Sequence, residues 1–597
     1  MDRFTGISKK FSMIFKNYLF FLFFLFLSFN GSANIINSQI SSKYDQIFSD
    51  KLLSNSDIKS YQKIFELQEG CKWKKANKNI LLLKNKILMG HVLAHRYLHP
   101  NCYKSEFLEL TFWLKKYNDH PQAKRIYRLA IKRMPKGYKS PNKPIKPIGI
   151  KKQKLNNYKK NTDYKTSLKL SKNQRLEKQK LINAIKSRVN RGWPTGAVKL
   201  LNQRDVNILL DQVEIDQQKE LIAKGYFLAN KNELSIKYSA EALENSSLYV
   251  PYAGWTAGLA AWRLEQYELA AEYFSNFSIS LRDDVWHQAS GAFWAARAYA
   301  KLNKYEDINF WLNRAAKNPV SFYGLLASEI LGINNPIDWT SEILSETDDI
   351  NLFSLPSGKR IKALIQIGLP YQLEDEIVYM NSVMNKSVAI KSLDVAQHFN
   401  LAYTQLKIVN TLMRYGVDVP TRLLYPTPIW KPKNGFTLEQ ELIYAFMHQE
   451  SLFNENAKSH RGAIGLMQIM PSTAKFISTN KEVKRNNSNI LKVPEINLDV
   501  GQEYIEYLLK LKIVDNNLIF LTAAYNGGPG NLQKWKENIN YLDDPLFFME
   551  SIPSRETRWF IEKVLTKYWI YKNKFGSEAN SLKLLAYGKN PIYKTYE

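Results

Sequence analysis

Apolar residues recur at helix-like spacing over most of the chain. From Ser41 to about Pro135 they run from Ile80-Leu81-Leu82-Leu83 to Ile87-Leu88 and again from Leu108 to Trp113, which predicts short helices packed in pairs. Helical hairpins return between Gly192 and about Pro420, with a weak internal repeat. Ala260, Leu264, Tyr267, Glu268 and Phe274 recur as Ala298, Leu302, Tyr305, Glu306 and Leu312, an offset of 38 residues. A period of that size marks stacked helix pairs that bury their apolar faces only against neighbours, so the region reads as an α-solenoid. Strand signals and Asn-Gly hairpin turns are scarce. Tyr425-Pro426-Thr427-Pro428 and the breakers from Pro432 to Gly435 then precede a compact, glycine-punctuated segment.

Composition adds a compartment to this picture. Basic residues Arg3, Lys9, Lys10 and Lys16, the apolar run Tyr18 to Phe29 and the small residues Gly31-Ser32-Ala33 read as a cleaved secretory signal over residues 1–33. The run is short of the roughly 20 residues that span a bilayer. Cys71 and Cys102, both in the exported part, form either one disulfide or two buried thiols. No Cys and His cluster has metal-ligand spacing, so neither metal nor cofactor is expected.

The formal charge of +29 is concentrated. Lys136 to Arg191 holds 18 Lys or Arg against Asp163 and Glu177. An exported basic chain needs an anionic partner other than nucleic acid, and cell-wall polymer or an anionic membrane qualifies. The stretch itself reads as a solvated linker or insert, with peripheral contact to wall or membrane as the alternative. The expected layout is a signal (1–33), an N-terminal helical region (34–135), the basic linker (136–191), the α-solenoid (192–335), a helical linker domain (336–420) and a catalytic domain (421–597).

Candidate chemistry lies in the last segment. Thr437-Leu438-Glu439-Gln440 matches a capping box, and the helix it opens carries Leu442, Ile443, Phe446 and Met447 on one face. The same face continues to Glu450. A carboxyl on the apolar side of a helix is desolvated, which raises its pKa toward what a general acid needs. After it come Ser451 to Asn454, then Gly462 to Pro471, in which Gln468 is the one polar side chain and requires partners, as a groove for an amide- and hydroxyl-rich ligand would supply. Glu455, in an Asn-Glu-Asn stretch, reads as a solvated turn without a catalytic role. An apolar helix from Leu518 to Asn526 stops at Gly527-Gly528-Pro529-Gly530, and another starts near Ser554.

Gln449-Glu450-Ser451 with Phe453-Asn454, Gly465-Leu466-Met467-Gln468-Ile469-Met470-Pro471, Ala524-Tyr525-Asn526-Gly527-Gly528-Pro529-Gly530, and Glu550-Ser551-Ile552-Pro553 with Glu556-Thr557-Arg558 together resemble the soluble lytic murein transglycosylase family. Gly528, Asn531 and His460-Arg461 depart from its usual pattern. The resemblance implies a mainly α fold, a superhelical ring or solenoid of helical hairpins followed by a lysozyme-like α domain with minor β content. It also implies a periplasmic enzyme, working as a monomer without cofactor, that cleaves the MurNAc-GlcNAc β-1,4 bond of peptidoglycan and leaves 1,6-anhydroMurNAc ends. Glu450 is then the acid and base. Ser459, Gln468, Met470, Tyr525 and Asn526 line the groove, and Glu550 either meets the peptide stem or pairs with Arg555 or Arg558. The solenoid offers a surface for cell-wall synthesis proteins. Hydrolysis in the manner of a goose-type lysozyme and a non-enzymatic wall-binding scaffold are the alternatives.

Overall fold

The computed structural model describes residues 51–593 except 100–101, 146–163, 282–283, 335–336, 341–351, 384–385, 415 and 486–487. The expected signal over 1–33 and the middle of the basic stretch lie outside the described residues. The chain divides into two units, one of residues 1–150 with 342–399 and one of 151–341 with 400–597. Among the described residues the structure is helical, and its minor β content is three isolated antiparallel bridges, Lys458 with Ile464, Ile464 with Ile469, and Asn517 with Ile592. No described helix is long and apolar enough to cross a membrane.

The first unit joins two stretches that look separate in the sequence. Its early part contains helices Asn55–Glu69, Trp73–Leu81, Met89–Tyr97, Phe107–Lys116 and Ala123–Arg133, and its late part Pro356–Ile367, Pro370–Val383 and Lys386–His398. Ser54 caps the first helix by accepting from the Asp57 N–H, and Glu106 with Glu109 makes a capping box on the fourth. Leu110, Trp113, Leu114, Ile126 and Ala130 are fully buried between the fourth and fifth. Of the two readings for the cysteines the disulfide is the one formed, Cys71 to Cys102, with Cα atoms 5.9 Å apart.

The two parts of the unit meet around a buried carboxylate. Glu376, with no exposed surface, stands 2.9 Å from His91 Nε2 and 2.5 Å from Arg360 Nε. Arg360 Nη1 also donates to Asp119 at 3.0 Å. Leaving one charge of such a set unpaired in the interior costs far more than the set adds over apolar packing.

The second unit opens within the basic stretch. Its last third is no linker: Lys172–Asn190 is a helix with a Ser171–Gln174 capping box, and its Ile185 and Val189 are buried against Ala197, Ile222 and Tyr226. The solenoid continues through Gln212–Leu228, Asn232–Ser246, Pro251–Arg263, Tyr267–Ser280, Val285–Lys301, Tyr305–Ala316 and Phe322–Ile330. The 38-residue offset is visible as the starts of the helices at Tyr267 and Tyr305, and the turns before them are the same. Glu265 and Asn303 both have φ 57°, and the N–H of Gln266 and of Lys304 reaches back five residues to Ala261 and Tyr299. Asn230, at φ 56°, repeats the turn one hairpin earlier, with Lys231 bonded to Tyr226. This left-handed C-terminal cap closes each helix and reverses the chain. Gly291 allows a close backbone approach between neighbours, since a Cβ there would lie 2.9 Å from Ser278 N and 3.0 Å from Phe274 O.

Solenoid and C-terminal helices share one hydrophobic core. Phe322 stacks on Trp569 at 5.3 Å, and Arg297, which binds Asp544 at 2.8 Å, lies over the rings of Trp262 and Trp294. Polar ties accompany the apolar ones: Arg263 Nη2 donates to Ser551 Oγ at 3.1 Å.

Glu376→Gln is expected to destabilise the first unit by about 3 kcal/mol, because Arg360 keeps its burial and loses the buried one of its two carboxylate partners. Calorimetry of the full chain checks this, through a lowered transition that the second unit does not share. An unchanged melting profile would contradict it.

Candidate active site

The helix Gln440–Ser451 is packed on nearly every side: Leu442, Ile443, Tyr444, Ala445, Phe446 and Met447 are all buried. Its start differs from the expected capping box. Glu439 is the N-cap, and its carboxylate is held by the Tyr568 hydroxyl and by Lys572 Nζ at 3.1 Å, while the Thr437 hydroxyl bonds Glu506. Tertiary partners have taken the groups a local cap would use. The helix ends abruptly, since Leu452 and Phe453 both adopt the left-handed region, at φ 52° and 64°. Two bulky residues do so only when their surroundings hold them there. Phe453, 1% exposed and 5.3 Å from the His448 ring, is that anchor.

Glu450 thus stands in the last turn of a buried helix. Burial pushes its pKa up from the ordinary carboxylic range to about 8, and the like charge of Glu556 adds to the shift. No cation among the described residues reverses it. Lys567, whose Nζ donates to Gln449 Oε1 at 2.8 Å, is itself pushed down to about 7 by burial. His448, also buried, is held well below its usual range. A carboxyl that keeps its proton at neutral pH can give it to a substrate oxygen, and the carboxylate that remains can take one back.

Tyr525 closes one side. Its ring packs on Phe446 at 4.6 Å and lies parallel to Phe560 at 6.2 Å; its hydroxyl feels the Glu450 charge and donates to the Met467 carbonyl at 2.7 Å. That bond ties the helix Leu518–Gly527 to the loop between Asn454 and Pro471. The loop is folded on itself. Ile464 pairs with Ile469, Gly465 N–H reaches Ala457 O at 2.9 Å, and Ser459 Oγ accepts from Ala463 N–H at 3.0 Å. Gln468 departs from the expectation of ligand partners for its amide nitrogen, because Nε2 donates to the Ala457 and Gly465 carbonyls at 3.2 and 2.9 Å. Its first task is to hold the loop. Met470 caps the helix Pro471–Ile477 and leaves an apolar side chain 37% exposed.

Asn497 is a residue that reading the sequence missed. Wholly buried in the first turn of Pro494–Lys510, it accepts from Met467 N–H at 2.8 Å and donates to the Ile464 and Leu491 carbonyls. Gly465, at φ 81°, makes room for it, since a Cβ there would lie 2.3 Å from Asn497 Nδ2. The available signal was an Asn on the apolar face of a helix. Glu556 and Thr557 were also passed over as site residues. Thr557 Oγ1 lies 2.8 Å from Asn526 Oδ1, which brings the first turn of Arg555–Lys574 against the end of Leu518–Gly527. Glu455 is buried rather than solvated, and Asn456 Nδ2 donates to it at 3.2 Å.

The structure therefore gathers Glu450, Tyr525, Asn526, Gln468 and the Ser459–Met470 loop. Glu550 is placed differently. It is buried, accepts from the hydroxyl of Tyr323 in the solenoid and lies in the field of Arg558; burial raises its pKa despite both.

Among the described residues, two groups elsewhere have metal-ligand composition, Cys71-His99-Cys102 and His91-His120-Glu376. The thiols of the first are spent in the disulfide. In the second, His120 Nδ1 accepts from Gln122 N–H at 3.2 Å, which leaves the proton on Nε2, and Glu376 is engaged by Arg360. Neither presents a free set of lone pairs.

Residues 428–547 match the family described as Transglycosylase SLT domain. Among curated relatives, the soluble lytic murein transglycosylase of Salmonella typhimurium is 29% identical over 264 residues, 43% of this chain and 40% of the relative. That of Escherichia coli is 28% identical over 272 residues, 45% and 41% respectively. The membrane-bound lytic murein transglycosylase E of Buchnera aphidicola is 31% identical over 24% of this chain and 66% of its own length. The chain thus spans about two fifths of the length of the first relatives it matches. In fold it is similar to the crystal structure of the 70 kDa soluble lytic transglycosylase of Escherichia coli, with a TM-score of 0.51 at 16% identity, over 88% of this chain and 98% of that one. A helical solenoid followed by a lysozyme-like domain is the fold they have in common. The segment that holds Glu450 is thus a Transglycosylase SLT domain, similar to that of the soluble lytic murein transglycosylases.

Proposed function

We propose that the chain is a lytic transglycosylase that cuts the β-1,4 bond between N-acetylmuramic acid and N-acetylglucosamine in peptidoglycan and leaves 1,6-anhydroMurNAc ends. The observation that carries this is Glu450, a largely desolvated carboxyl with no countercharge among the described residues, inside a transglycosylase domain and flanked by Tyr525. The Glu450 carboxyl donates its proton to the glycosidic oxygen as the bond to C1 breaks. The resulting carboxylate accepts the proton of the muramoyl C6 hydroxyl, whose oxygen bonds to C1. Glu450 ends protonated, ready for the next cut, and no water is consumed.

Most glycosidases use a second carboxylate as base or nucleophile. Here Glu556 raises the pKa of the acid, and the sugar's own acetamido group stabilises C1 in the interval. Ser459, Gln468, Met470, Tyr525 and Asn526 line the groove in this reading, with the hydroxyl of Tyr525 positioning the loop at Met467. The Cys71–Cys102 disulfide supports work in an oxidising compartment, the periplasm, where the basic residues of 136–191 meet anionic wall or membrane. The solenoid remains available to cell-wall synthesis proteins.

Glu450→Gln is expected to lower turnover of sacculi about 10³-fold. Mass spectrometry of wild-type digests should show anhydro ends. Reducing ends would overturn the transfer step, and undiminished cutting by the variant would overturn the assignment of the acid.

The alkaline limb of kcat/KM should fall near pH 8, where Glu450 loses its proton. Glu556→Gln removes the repulsion and should move that limb to lower pH. A limb in the ordinary carboxylate range, or a move upward in the variant, would contradict the placement of the two groups.

Because the folded state holds Glu450 protonated and the unfolded chain does not, its contribution is fully present below pH 4.5 and is lost as pH rises through about 8. Glu450→Gln should accordingly melt several degrees higher than wild type at pH 8 and at the same temperature at pH 4, as scanning calorimetry would show.

A further inference from the structure

The groove does not end at Glu450. The helix Arg555–Lys574 reaches it with Thr557 on Asn526 and with Glu556 close enough to raise the pKa of the acid. Trp559 is three residues beyond Glu556, on the same helix face and about 5 Å further along the axis. Its indole is 40% exposed.

The exposed ring is nevertheless fixed. Its plane lies within 15° of that of His287 at 6.0 Å, and the ring of Trp286 is 5.6 Å away; both belong to the solenoid helix Val285–Lys301. Lys563 fills the space between the two indoles, with Nζ 3.0 Å from the centroid of Trp286 and 4.4 Å from that of Trp559. Trp286 is anchored in turn, since Nε1 donates to Glu562 at 2.6 Å, and His287 Nδ1 lies 2.6 Å from Asp284. An indole that served only to join the two elements would bury its area in the joint. This one is held by one part of its surface and offered to solvent by the rest.

A rigid, exposed indole beside ring nitrogens and a carboxylate suits a pyranose. The C–H face of a β-linked sugar stacks on the ring, and the hydroxyls at its rim meet the polar groups. We infer that Trp559, held by Trp286, His287 and Lys563, is a stacking platform for a sugar of the glycan strand beyond the linkage that Glu450 cleaves. Occupancy by that strand follows from continuity with the groove along one helix face. The inference rests on the transglycosylase reading, and it makes the edge of the solenoid part of the substrate site.

The test compares kcat/KM of the full-length protein on long, uncross-linked glycan strands and on a tetrasaccharide of the same repeat. Trp559→Ala should lose about tenfold on the long strands and little on the tetrasaccharide, while Trp559→Phe, which keeps a flat face, retains most of the wild-type value. Trp559→Leu fills the space without a flat face and should behave as the alanine variant does, which covers the case in which alanine unfolds the chain. An equal loss on both substrates, or no loss on either, would overturn the platform. Binding of the long strands to Glu450→Gln, with and without Trp559→Ala, is measured by calorimetry. About tenfold weaker binding of the double variant is expected, and equal binding would overturn the inference. Turnover surviving in Glu450→Gln would instead sink the parent reading, so the two failures are told apart.

Discussion

A carboxyl group taken out of water with no cation to meet it holds its proton, and the C-terminal half of this chain is arranged to keep Glu450 in that condition. The helix that carries it is buried on nearly every side, the turn after it is forced into the left-handed region by Phe453, and burial pushes the pKa values of Lys567 and His448 down. Supplying one permanent cation there would undo the arrangement. The cost is a site that the unfolded chain solvates better at alkaline pH, a common exchange of stability for chemistry.

The helix Arg555–Lys574 connects that site to everything else. Its first turn meets Asn526 through Thr557, its middle presents Glu562 and Lys563 to the solenoid and Lys567 to Gln449, and its last turns hold Glu439 through Tyr568 and Lys572. Buried charges along one helix contribute little net stability, but each is met by specific partners, so they fix the register in which solenoid and C-terminal helices pack. A shift by one turn would leave Glu562 without Trp286 and Glu439 without Lys572.

How far the sequence disclosed this depended on the distance over which each feature is determined. Glu450 was legible because apolar periodicity within one helix determines its burial, and the solenoid because its offset repeats a local turn at Glu265 and Asn303. Features settled by distant residues were not. Thr437 spends its hydroxyl on Glu506, which no local pattern at the helix start reveals, and Asn497 serves a loop some 30 residues earlier. Gln468 is legible as a buried amide, but the partners of its nitrogen, the Ala457 and Gly465 carbonyls, are set by the fold of the loop. In Lys172–Asn190, charge density concealed the two residues that matter, Ile185 and Val189, which face Ile222 and Tyr226.

The discontinuity of the first unit bears on how the protein is made. His91 and Glu376, whose contact joins its parts, are separated by 285 residues, so during synthesis the early helices wait for the solenoid to be translated before their last partners exist. The Cys71–Cys102 bridge spans only 31 residues and needs none of the late ones. Once oxidised, it keeps the helices on either side of it tethered while the chain between Ile150 and Glu342 emerges. A nascent chain with its bridge closed early has fewer wrong pairings to escape when the remaining helices arrive.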